Sequence, residues 1–411
     1  FIYMNKFLQE LHDRGYHYQS TDNDNLSRIL DKNKIKAYIG FDCTAESLHV
    51  GSLLQIMCLK LLQKHGHQPI VLLGGGTTRI GDPSGKDKTR QILDEKIIEK
   101  NIKNIEKIFK IFLHTENKNT SPIFVNNYDW LKNLNYITFL RDIGKHFTIN
   151  KMLSFDSVKI RLEREQSLSY MEFNYMILQA YDYLELNKNY KCQLQIGGSD
   201  QWGNIVNGVE LIKRHASKEV FGLTTPLITL ASGAKMGKTE SGAIWLDKRL
   251  LSSYDYWQFW RNVDDRDLIK FLKMFTEIPV NEIEQRRNED INNLKILLAN
   301  EATTMLHGEQ EAKKCFEQAK KIFLEKSSDE GLPVFIIKKN DLKIKNLSDL
   351  IISEKLEVSK NEIKRLIKNN GIKINNKKIQ EDLQINQINL ENKNYFKLSI
   401  GKKKHFKIKI N

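Results

Sequence analysis

The feature that most constrains the fold lies in residues 37–73, where a strand, a helix and a second strand follow one another. Residues 37–42 and 69–73 are short apolar runs typical of buried strands. Residues 50–65 carry apolar side chains at helical spacing, namely Leu53, Leu54, Met57, Leu61 and Leu62. A unit of this kind predicts parallel strands with ligands bound beyond their carboxyl ends. A further strand is predicted at 192–196, followed by Gly197 and Gly198.

The chain of 411 residues is too long for one ordinary core and predicts several domains. The segments 91–112, 130–180 and 245–325 have mostly helical patterns, and Ser-Ser-Asp-Glu-Gly at 327–331 predicts a break. We therefore expect an α/β part at 1–244, a helical part at 245–326, a linker at 327–345 and a last part at 346–411. In that last part, 347–370 predicts two short helices, and short alternating stretches follow Gly371.

The positive charge of the chain is concentrated at its end. The net charge is +14, and residues 338–411 hold 19 Lys and Arg against 8 Asp and Glu. The residues before them hold 46 basic and 43 acidic side chains, so they are nearly neutral. A Lys- and Asn-rich composition alone does not explain this contrast. A concentrated basic domain is typical of proteins that bind a polyanion, most often nucleic acid.

Composition also argues against several classes of protein. No run of eighteen apolar residues exists, so we expect no membrane span and no membrane partner. The short apolar start is followed by Glu10 and Asp13, which does not fit a secretory signal. The four cysteines have no CxxC spacing, which favours reduced thiols in the cytoplasm and gives no metal signature.

Two short motifs point to phosphate chemistry. His49-Val50-Gly51-Ser52 lies between a strand and a helix, where unpaired N–H groups and the helix dipole attract phosphate. Lys235-Met236-Gly237-Lys238-Thr239 follows a Gly/Ser-rich stretch, and its two lysines could clamp a triphosphate. Alone, the first motif would be a surface histidine at a helix start and the second a solvated basic loop. Together they indicate an enzyme that handles a nucleoside triphosphate.

A third constellation suits an amino acid. Tyr175, Gln179 and Asp182 are spaced four and three residues apart, so they share one face of a predicted helix. A hydroxyl, an amide and a carboxylate on one face could hold an ammonium group at one end and a donor at the other, although a solvated polar face is the simpler alternative. Gly198 and Asp200 follow a strand and suit a ribose contact, as Gly-rich strand ends often do.

These motifs together resemble bacterial tyrosyl-tRNA synthetases, which are class I aminoacyl-tRNA synthetases. His49–Ser52 and Lys235–Thr239 resemble the HIGH and KMSKS signatures of that class. Further stretches similar to the family start at Tyr38, Gly81, Asn127, Phe139 and Gly198. The resemblance runs from about Tyr38 to the C-terminus. It implies an α/β Rossmann-like catalytic domain with dimer-interface helices (1–244), a helical anticodon-binding domain (245–326), a linker (327–345) and a basic α-L RNA-binding domain (346–411).

The resemblance also implies the reaction and its site. Tyrosine would attack ATP to give tyrosyl-adenylate and pyrophosphate, and tRNA(Tyr) would then accept the tyrosyl group. The residues that would bind tyrosine are Tyr38, Asp82, Tyr175, Gln179, Asp182 and Gln201. Those that would bind ATP are Gly40, Asp42, His49, Gly51, Ser52, Gly198, Asp200, Lys235 and Lys238. Those that would act on the phosphates in catalysis are Thr44, His49, Lys86, Arg90, Lys235 and Lys238.

Within that set, Tyr38 and Asp182 would bind the phenolic hydroxyl of tyrosine. Tyr175, Gln179 and Asp82 would hold its ammonium group, and Gln201 would lie near its carboxylate. Mg²⁺ would accompany ATP rather than occupy a site built by the protein, and we expect no tightly bound cofactor. The family is homodimeric, and residues 128–160 would supply the interface.

The chain departs from the family pattern at two points near the first motif. Ser52 replaces the second histidine of the HIGH signature, which predicts a weaker or different ribose contact. Cys43 stands where the family usually has proline, and a thiol beside the site would be sensitive to oxidation. The lysine motif has Gly237 and Thr239 in place of two serines and keeps both lysines.

Three other interpretations compete with this one. A tryptophanyl-tRNA synthetase would share the fold, but an indole N–H needs one acceptor and not the Tyr38–Asp182 pair. A catalytically inactive RNA-binding protein would not need His49, Asp82 or the two motif lysines. A small-molecule nucleotidyltransferase with a His-Gly turn would not need the second motif or the basic C-terminal part.

Overall fold

The structure is a computed structural model. It describes residues 4–84, 93–234, 236–239, 242–323, 332–337, 346–354, 356, 359–388, 390, 394–401 and 404–410. The chain forms two compact units, residues 1–312 and 313–411, and each is described by itself.

The first unit is built on a six-stranded sheet. Its strands are β1 (Gln19–Ser20), β2 (Lys36–Phe41), β3 (Gln68–Leu73), β4 (Ile123–Asn126), β5 (Cys192–Gly198) and β6 (Phe221–Thr225). Their order across the sheet is β1-β6-β5-β2-β3-β4, and all pairs are parallel except β1 with β6. The parallel strand–helix–strand unit predicted for residues 37–73 is confirmed. A small antiparallel pair, β7 (Lys238–Thr239) and β8 (Gly242–Ala243), follows the sheet.

Helices surround this sheet and continue beyond it. Those up to the end of the sheet are α1 (Lys6–Asp13), α2 (Asn23–Lys32), α3 (Leu53–Lys64), α4 (Gly75–Thr78), α5 (Glu95–Phe112), α6 (Tyr128–Leu131), α7 (Tyr136–Asp142), α8 (Ile149–Leu153), α9 (Asp156–Glu163), α10 (Tyr170–Phe173), α11 (Tyr175–Tyr190) and α12 (Trp202–Ala216). The helical part after residue 245 contains α13 (Ser253–Arg261), α14 (Leu268–Phe275), α15 (Val280–Gln285), α16 (Ile291–His307) and α17 (Glu309–Phe323). The predicted mostly helical character of 91–112, 130–180 and 245–325 is confirmed in the described residues.

The order of the strands fixes where a ligand can bind. From β2 the chain crosses through α3 to β3 on one side, whereas β5 pairs with β2 on the other side. At such a switch point the connecting segments leave in opposite directions and open a crevice at the carboxyl ends of the strands. The strand residues themselves are mostly buried on both faces, as expected for a sheet covered by helices.

The turn between β2 and α3 leads directly into this crevice. A 3-10 turn at Val50–Ser52 precedes α3, and the His49 side chain caps it by accepting a hydrogen bond from the Gly51 backbone N–H. Helix α3 is almost entirely buried because apolar residues cover nearly its whole circumference. It therefore holds its N-terminus firmly at the edge of the sheet.

The second unit begins within α17 and contains a five-stranded sheet and two short helices. Its strands are β9 (Val334–Ile337), β10 (Ile372–Ile374), β11 (Lys377–Lys378), β12 (Tyr395–Ile400) and β13 (Lys404–Ile410), in the order β11-β10-β12-β13-β9. Its helices are α18 (Leu347–Ser353) and α19 (Lys360–Lys368), which confirms the two predicted helices. Strand β9 lies within 327–345, the segment expected as a linker, and pairs in parallel with β13.

An apolar core joins the helices and the sheet of the second unit. Ile351, Ile363, Phe396, Leu398 and Ile408 are among its fully buried members. In the part of the chain that the structure describes, no helix is both long and apolar enough to cross a membrane.

Candidate active site

The crevice at the switch point contains a cavity of about 340 Å³. Twelve of the predicted site residues line it, and they come from β2, β5 and α11 and from the turns that follow the strands. These twelve are Tyr38, Gly40, Asp42, Gly51, Ser52, Asp82, Tyr175, Gln179, Asp182, Gly198, Asp200 and Gln201. The shared helix face of Tyr175, Gln179 and Asp182 is confirmed, because all three lie on α11 and face this cavity.

Asp182 is a buried carboxylate whose two oxygens both accept hydrogen bonds. The Trp130 indole N–H donates to Oδ1 at 2.7 Å, and the Asn127 amide donates to Oδ2 at 2.9 Å. The side chain is 2% exposed, and this burial raises the pKa of Asp182 to about 7, against the opposing effect of the two donors. The network holds a strong acceptor in a fixed orientation at the cavity wall.

Tyr38 lies beside Asp182 on the wall of the cavity. Its side chain is 1% exposed, and its hydroxyl has no hydrogen-bond partner among the described residues. Burial and the nearby Asp182 carboxylate raise the pKa of Tyr38 well above its ordinary value, so the hydroxyl stays protonated. A buried hydroxyl without a partner costs free energy, which a polar ligand group in the cavity would recover.

Asp42 and Tyr175 both line the cavity and are joined by a hydrogen bond. The Tyr175 hydroxyl donates to Asp42 Oδ2 at 3.0 Å, and the Thr77 hydroxyl donates to Oδ1 at 2.8 Å. Burial and the surrounding carboxylates raise the pKa of Tyr175 well above its ordinary value. Because the proton of this hydroxyl points to Asp42, its oxygen presents lone pairs to the cavity and can accept from an ammonium group.

Asp82 and Gln201 form a second polar pair. The Gln201 amide donates to Asp82 Oδ2 at 2.8 Å, and the Ser84 backbone N–H donates to Oδ1 at 2.9 Å. Gln201 Oε1 in turn accepts from the Asn204 amide at 3.1 Å. The structure therefore joins a residue predicted to hold the ammonium group to one predicted to lie near the carboxylate.

The two signature motifs meet in space. A Cβ added at Gly237 would lie 2.6 Å from His49 Nδ1 and 2.8 Å from the Gly51 backbone nitrogen. A Cβ added at Gly51 would lie 2.9 Å from the Met236 carbonyl oxygen. The backbone of the second motif thus packs directly on the His-Gly turn. Within that turn, the Val50 N–H donates a hydrogen bond to the Ile244 carbonyl.

The remaining predicted residues fall into two groups. Thr44 is exposed, and neither Thr44 nor His49 is among the residues that line the cavity. Lys86, Arg90 and Lys235 lie outside the described residues. The backbone of Lys238 forms β7, but its side chain is outside them. The predicted phosphate contacts of these residues stay predictions.

Sequence reasoning gave no role to five residues that belong to the site, although two of them, Asn127 and Trp130, lie in a stretch similar to the family. These are Gln55, Thr77, Asn127, Trp130 and Gln195. Asn127 and Trp130 lie more than fifty positions before Asp182 in the chain, so no local spacing connects them to it. Gln195 carried a weak signal, because it is a polar residue on a strand whose members, apart from the partly buried Gln193, are otherwise apolar and buried. Its Oε1 is buried without a partner among the described residues.

The expected sensitivity of Cys43 to oxidation is wrong. Its thiol is completely buried, and this burial raises the pKa of Cys43 above its ordinary value. Oxidation requires an accessible thiolate, and here both the access and the thiolate are suppressed. The residue is held by its backbone, since its N–H donates to the Thr78 hydroxyl and its carbonyl accepts from Asn101.

Comparison with known proteins connects this geometry to a family. A family profile described as "tRNA synthetases class I (W and Y)" matches residues 30–324. A second, described as "Tyrosine--tRNA ligase SYY-like C-terminal domain", matches residues 324–408. A tyrosine–tRNA ligase from Pelagibacter ubique is 72% identical over 409 residues, which is 99% of this chain and 100% of the relative. One from Wolbachia pipientis is 52% identical and covers 98% of this chain and 97% of the relative.

Solved structures show the same fold. A C-terminally truncated mitochondrial tyrosyl-tRNA synthetase of Aspergillus nidulans has a TM-score of 0.70 at 32% identity, covering 77% of this chain and 94% of that one. The enzyme of Archaeoglobus fulgidus, solved with L-tyrosine, has a TM-score of 0.57 at 17% identity over 75% of this chain and 99% of that one. This chain belongs to the bacterial tyrosyl-tRNA synthetases, the class I aminoacyl-tRNA synthetases that act as tyrosine–tRNA ligases.

Proposed function

We propose that the cavity binds L-tyrosine and ATP, and that the tyrosine carboxylate attacks the α-phosphate to give tyrosyl-adenylate and pyrophosphate. A terminal ribose hydroxyl of tRNA(Tyr) then attacks the activated carbonyl, and AMP leaves. The observation that carries this proposal is the Tyr38–Asp182 pair on the wall of the cavity. A phenolic hydroxyl placed between them would donate to the Asp182 carboxylate and accept from the Tyr38 hydroxyl. An indole N–H offers no acceptor to Tyr38, so the pair favours tyrosine over tryptophan.

The other contacts of tyrosine follow from the polar groups already described. Asp82, the Tyr175 oxygen and Gln179 supply acceptors for its ammonium group. The Gln201 amide has a second N–H beyond the one that binds Asp82, and it suits the tyrosine carboxylate. Gly40, Asp42, Gly198 and Asp200 would then face the adenosine part, and Gly51 and Ser52 the mouth where ATP enters.

Catalysis would rest on positioning and on electrostatic stabilisation of the phosphates. We assign that role to Thr44, His49, Lys86, Arg90, Lys235 and Lys238. Within the described chain, no group of three or more His, Cys, Asp and Glu side chains could hold a metal ion. We expect Mg²⁺ to enter with ATP, bound to its phosphates.

The basic second unit supports binding of tRNA, with the region 346–411 as the RNA-binding domain and 245–326 as the anticodon-binding domain. Alternation along β12 and β13 places Lys397, Lys407 and Lys409 on the face of the sheet away from the apolar core. Lys397 is buried at 4% exposure, whereas Lys407 and Lys409 are partly exposed. The two partly exposed lysines would supply positive charge to an RNA backbone.

We also propose a cytoplasmic homodimer that uses residues 128–160. Six large apolar side chains of this segment are exposed, namely Tyr136, Ile137, Leu140, Ile149, Leu153 and Ile160. Exposed apolar residues gathered in one segment are typical of interfaces. Light scattering on the native protein should give twice the mass of one chain, and Ile137→Asp should give the mass of one chain. A monomeric native protein would contradict the dimer.

The cytoplasmic location is supported by four cysteines that form no disulfide.

Charging of tRNA tests the whole reaction. The full chain, ATP, Mg²⁺ and labelled tyrosine should attach label to a tRNA(Tyr) transcript, and Asp182→Ala should abolish this at tyrosine concentrations that saturate the native enzyme. Labelled phenylalanine and tryptophan should not be attached. A folded protein that attaches no amino acid to tRNA would contradict the proposal.

A further inference from the structure

The segment before the second signature motif is a compact turn with its own backbone hydrogen bonds. The Leu230 N–H donates to the Ala234 carbonyl, and the Gly233 N–H donates to the Leu230 carbonyl, both at 2.8 Å. The Met236 N–H returns to the Ile228 carbonyl at 3.2 Å. The turn is therefore held together by its own hydrogen bonds. Its position in the fold depends on the side chains that contact Thr229 and Ala231.

Two side chains of the helical region, Asp267 and Lys270, make these contacts. Asp267 precedes α14, and its Oδ2 accepts the Ala231 backbone N–H at 2.7 Å. Lys270 pairs with Asp267 Oδ1 at 2.7 Å and donates to the Thr229 carbonyl at 3.3 Å. The Asp267 side chain is only 4% exposed. A hydrogen bond to a buried carboxylate is stronger than one between neutral groups.

The other end of the same segment rests on the active-site turn. The backbone of Met236 and Gly237 packs on His49 and Gly51, and Gly51 lines the cavity. The segment thus runs from a carboxylate of the helical region to the turn that opens α3. Its position over the site depends on both attachments.

We propose that Asp267 is a positioning residue for the activation of tyrosine. It fixes Ala231, and with Lys270 it fixes Thr229, so that the backbone of the second motif meets the His49–Gly51 turn in the geometry that ATP requires. Asp267 does not touch the substrates, and its effect on the reaction passes through the Ala231 backbone. The inference rests on the proposed function, which assigns the second motif to the ATP phosphates.

The test uses ATP–pyrophosphate exchange by the full chain. Asp267→Ala leaves the Ala231 N–H without its acceptor, and we expect kcat/KM for ATP to fall by about tenfold or more, while KM for tyrosine changes by less than about twofold. Asp267→Asn keeps a carbonyl oxygen for Ala231 and should recover most of the loss. Lys270→Met removes the contact with the Thr229 carbonyl but keeps the Asp267–Ala231 hydrogen bond, so it should lower kcat/KM for ATP by less than Asp267→Ala does.

A matched control lies three residues upstream. Asp264 is an exposed carboxylate that pairs with Arg266, and Asp264→Asn should leave both KM values and kcat as in the native enzyme. Hydrogen–deuterium exchange in the same variants reports the attachment directly. Peptides that contain Ala231 should exchange faster in Asp267→Ala than in Asp267→Asn, with thermal midpoints close to the native one.

Each outcome decides a different claim. A native-like kcat/KM for ATP in Asp267→Ala would overturn the inference. Equal losses of kcat/KM for tyrosine and for ATP would overturn it as well. So would a kcat/KM for ATP in Asp267→Asn that is as low as in Asp267→Ala. If the native protein shows no exchange with any amino acid, the proposed function fails. In that case unchanged deuterium uptake around Ala231 in Asp267→Ala would overturn the positioning role as well.

Discussion

The Trp130 indole N–H donates to the Asp182 carboxylate at 2.7 Å, across 52 positions of the chain. Asn127 donates to the other oxygen and is itself tied to the site, because its amide also donates to the Thr77 hydroxyl. Asp182 is therefore held on both oxygens beside the Tyr38 hydroxyl. The carboxylate that we propose to bind the phenol of tyrosine is therefore positioned by residues that need not touch the substrate.

Removing the indole donor should weaken tyrosine binding. Trp130→Phe leaves one oxygen of a buried carboxylate without its partner, and the pKa of Asp182 should rise further. We expect KM for tyrosine in pyrophosphate exchange to rise by about tenfold, with KM for ATP unchanged. Trp257→Phe is the control, since it removes an indole bond of 2.8 Å to Asn300 in the helical region. Equal effects of the two substitutions on KM for tyrosine would contradict the account.

Asp182 should make stability depend on pH in a definite direction. Its pKa is about 7 in the folded chain, while in the unfolded chain it returns to an ordinary value near 4. Between those values the folded state binds a proton that the unfolded state has lost, so this group stabilises below pH 4 and its contribution disappears as pH rises to 7.

Chemical unfolding of Asp182→Asn and the native protein between pH 4 and 8 checks this direction. The free energy of unfolding of the variant, relative to native, should increase by more than about 1 kcal/mol from pH 4 to pH 7 and then level off. The offset at pH 4 reports the hydrogen bonds that change, and only the slope reports the titration. Asp142→Asn at an exposed carboxylate should show a flat difference between pH 5 and 8. A flat difference for Asp182→Asn would refute the raised pKa.

The Tyr38 hydroxyl should matter for binding and not for folding. It has no partner among the described residues, so Tyr38→Phe should leave the free energy of unfolding unchanged or slightly higher, while KM for tyrosine rises. Tyr183→Phe is the matched control, because its hydroxyl donates to the Phe221 carbonyl at 2.8 Å. That variant should lose about 1 kcal/mol of stability. A loss of stability in Tyr38→Phe as large as in Tyr183→Phe would show that the native hydroxyl is already satisfied.

Two glycines of the second motif region separate backbone strain from crowding. Gly237 (φ +89°) and Gly233 (φ +83°) both adopt a left-handed conformation that a side chain disfavours. Only at Gly237 would a Cβ collide with the His49–Gly51 turn, since nothing lies within 4 Å of one at Gly233. Gly237→Ala should lower kcat/KM for ATP by about tenfold or more, and Gly233→Ala by less than about threefold. Similar losses in both variants would mean that strain alone is responsible.

Removing residues 328–411, which include the basic end of the chain, should separate the two half-reactions. A chain that ends at Ser327 should keep pyrophosphate exchange within about twofold of the full chain, and its charging of tRNA should fall by at least about tenfold because phosphate contacts are lost. Initial rates of both reactions, measured at the same salt concentration, check this. Equal loss of both activities would mean that residues after Ser327 are needed for activation itself.

Local periodicity was sufficient to predict three of the six strands of the first sheet, β2, β3 and β5, and the crevice at their carboxyl ends. Buried strands at 37–42 and 69–73 imply a parallel unit, and the crevice at its carboxyl ends follows from how such sheets are wound. The face shared by Tyr175, Gln179 and Asp182 follows from helical spacing within one helix. Each of these inferences needs only residues that are neighbours in the chain.

Contacts between distant segments could not be predicted in this way. Trp130 lies on α6 and Asp182 on α11, so their hydrogen bond depends on how the fold places these two helices, which no spacing in the sequence reveals. Asp267 reaches Ala231 because the helical region packs against a turn of the catalytic part. The Cys43 thiol was expected beside the substrate, but the turn after β2 directs it into the core, where solvent does not reach it.

The most direct test of the central claim is ATP–pyrophosphate exchange with each amino acid supplied singly and without tRNA. The account predicts exchange with L-tyrosine and almost none with phenylalanine, which leaves the buried Tyr38 and Asp182 groups unpaired, or with tryptophan. Equal exchange with phenylalanine, or none with any amino acid from a folded protein, would contradict it.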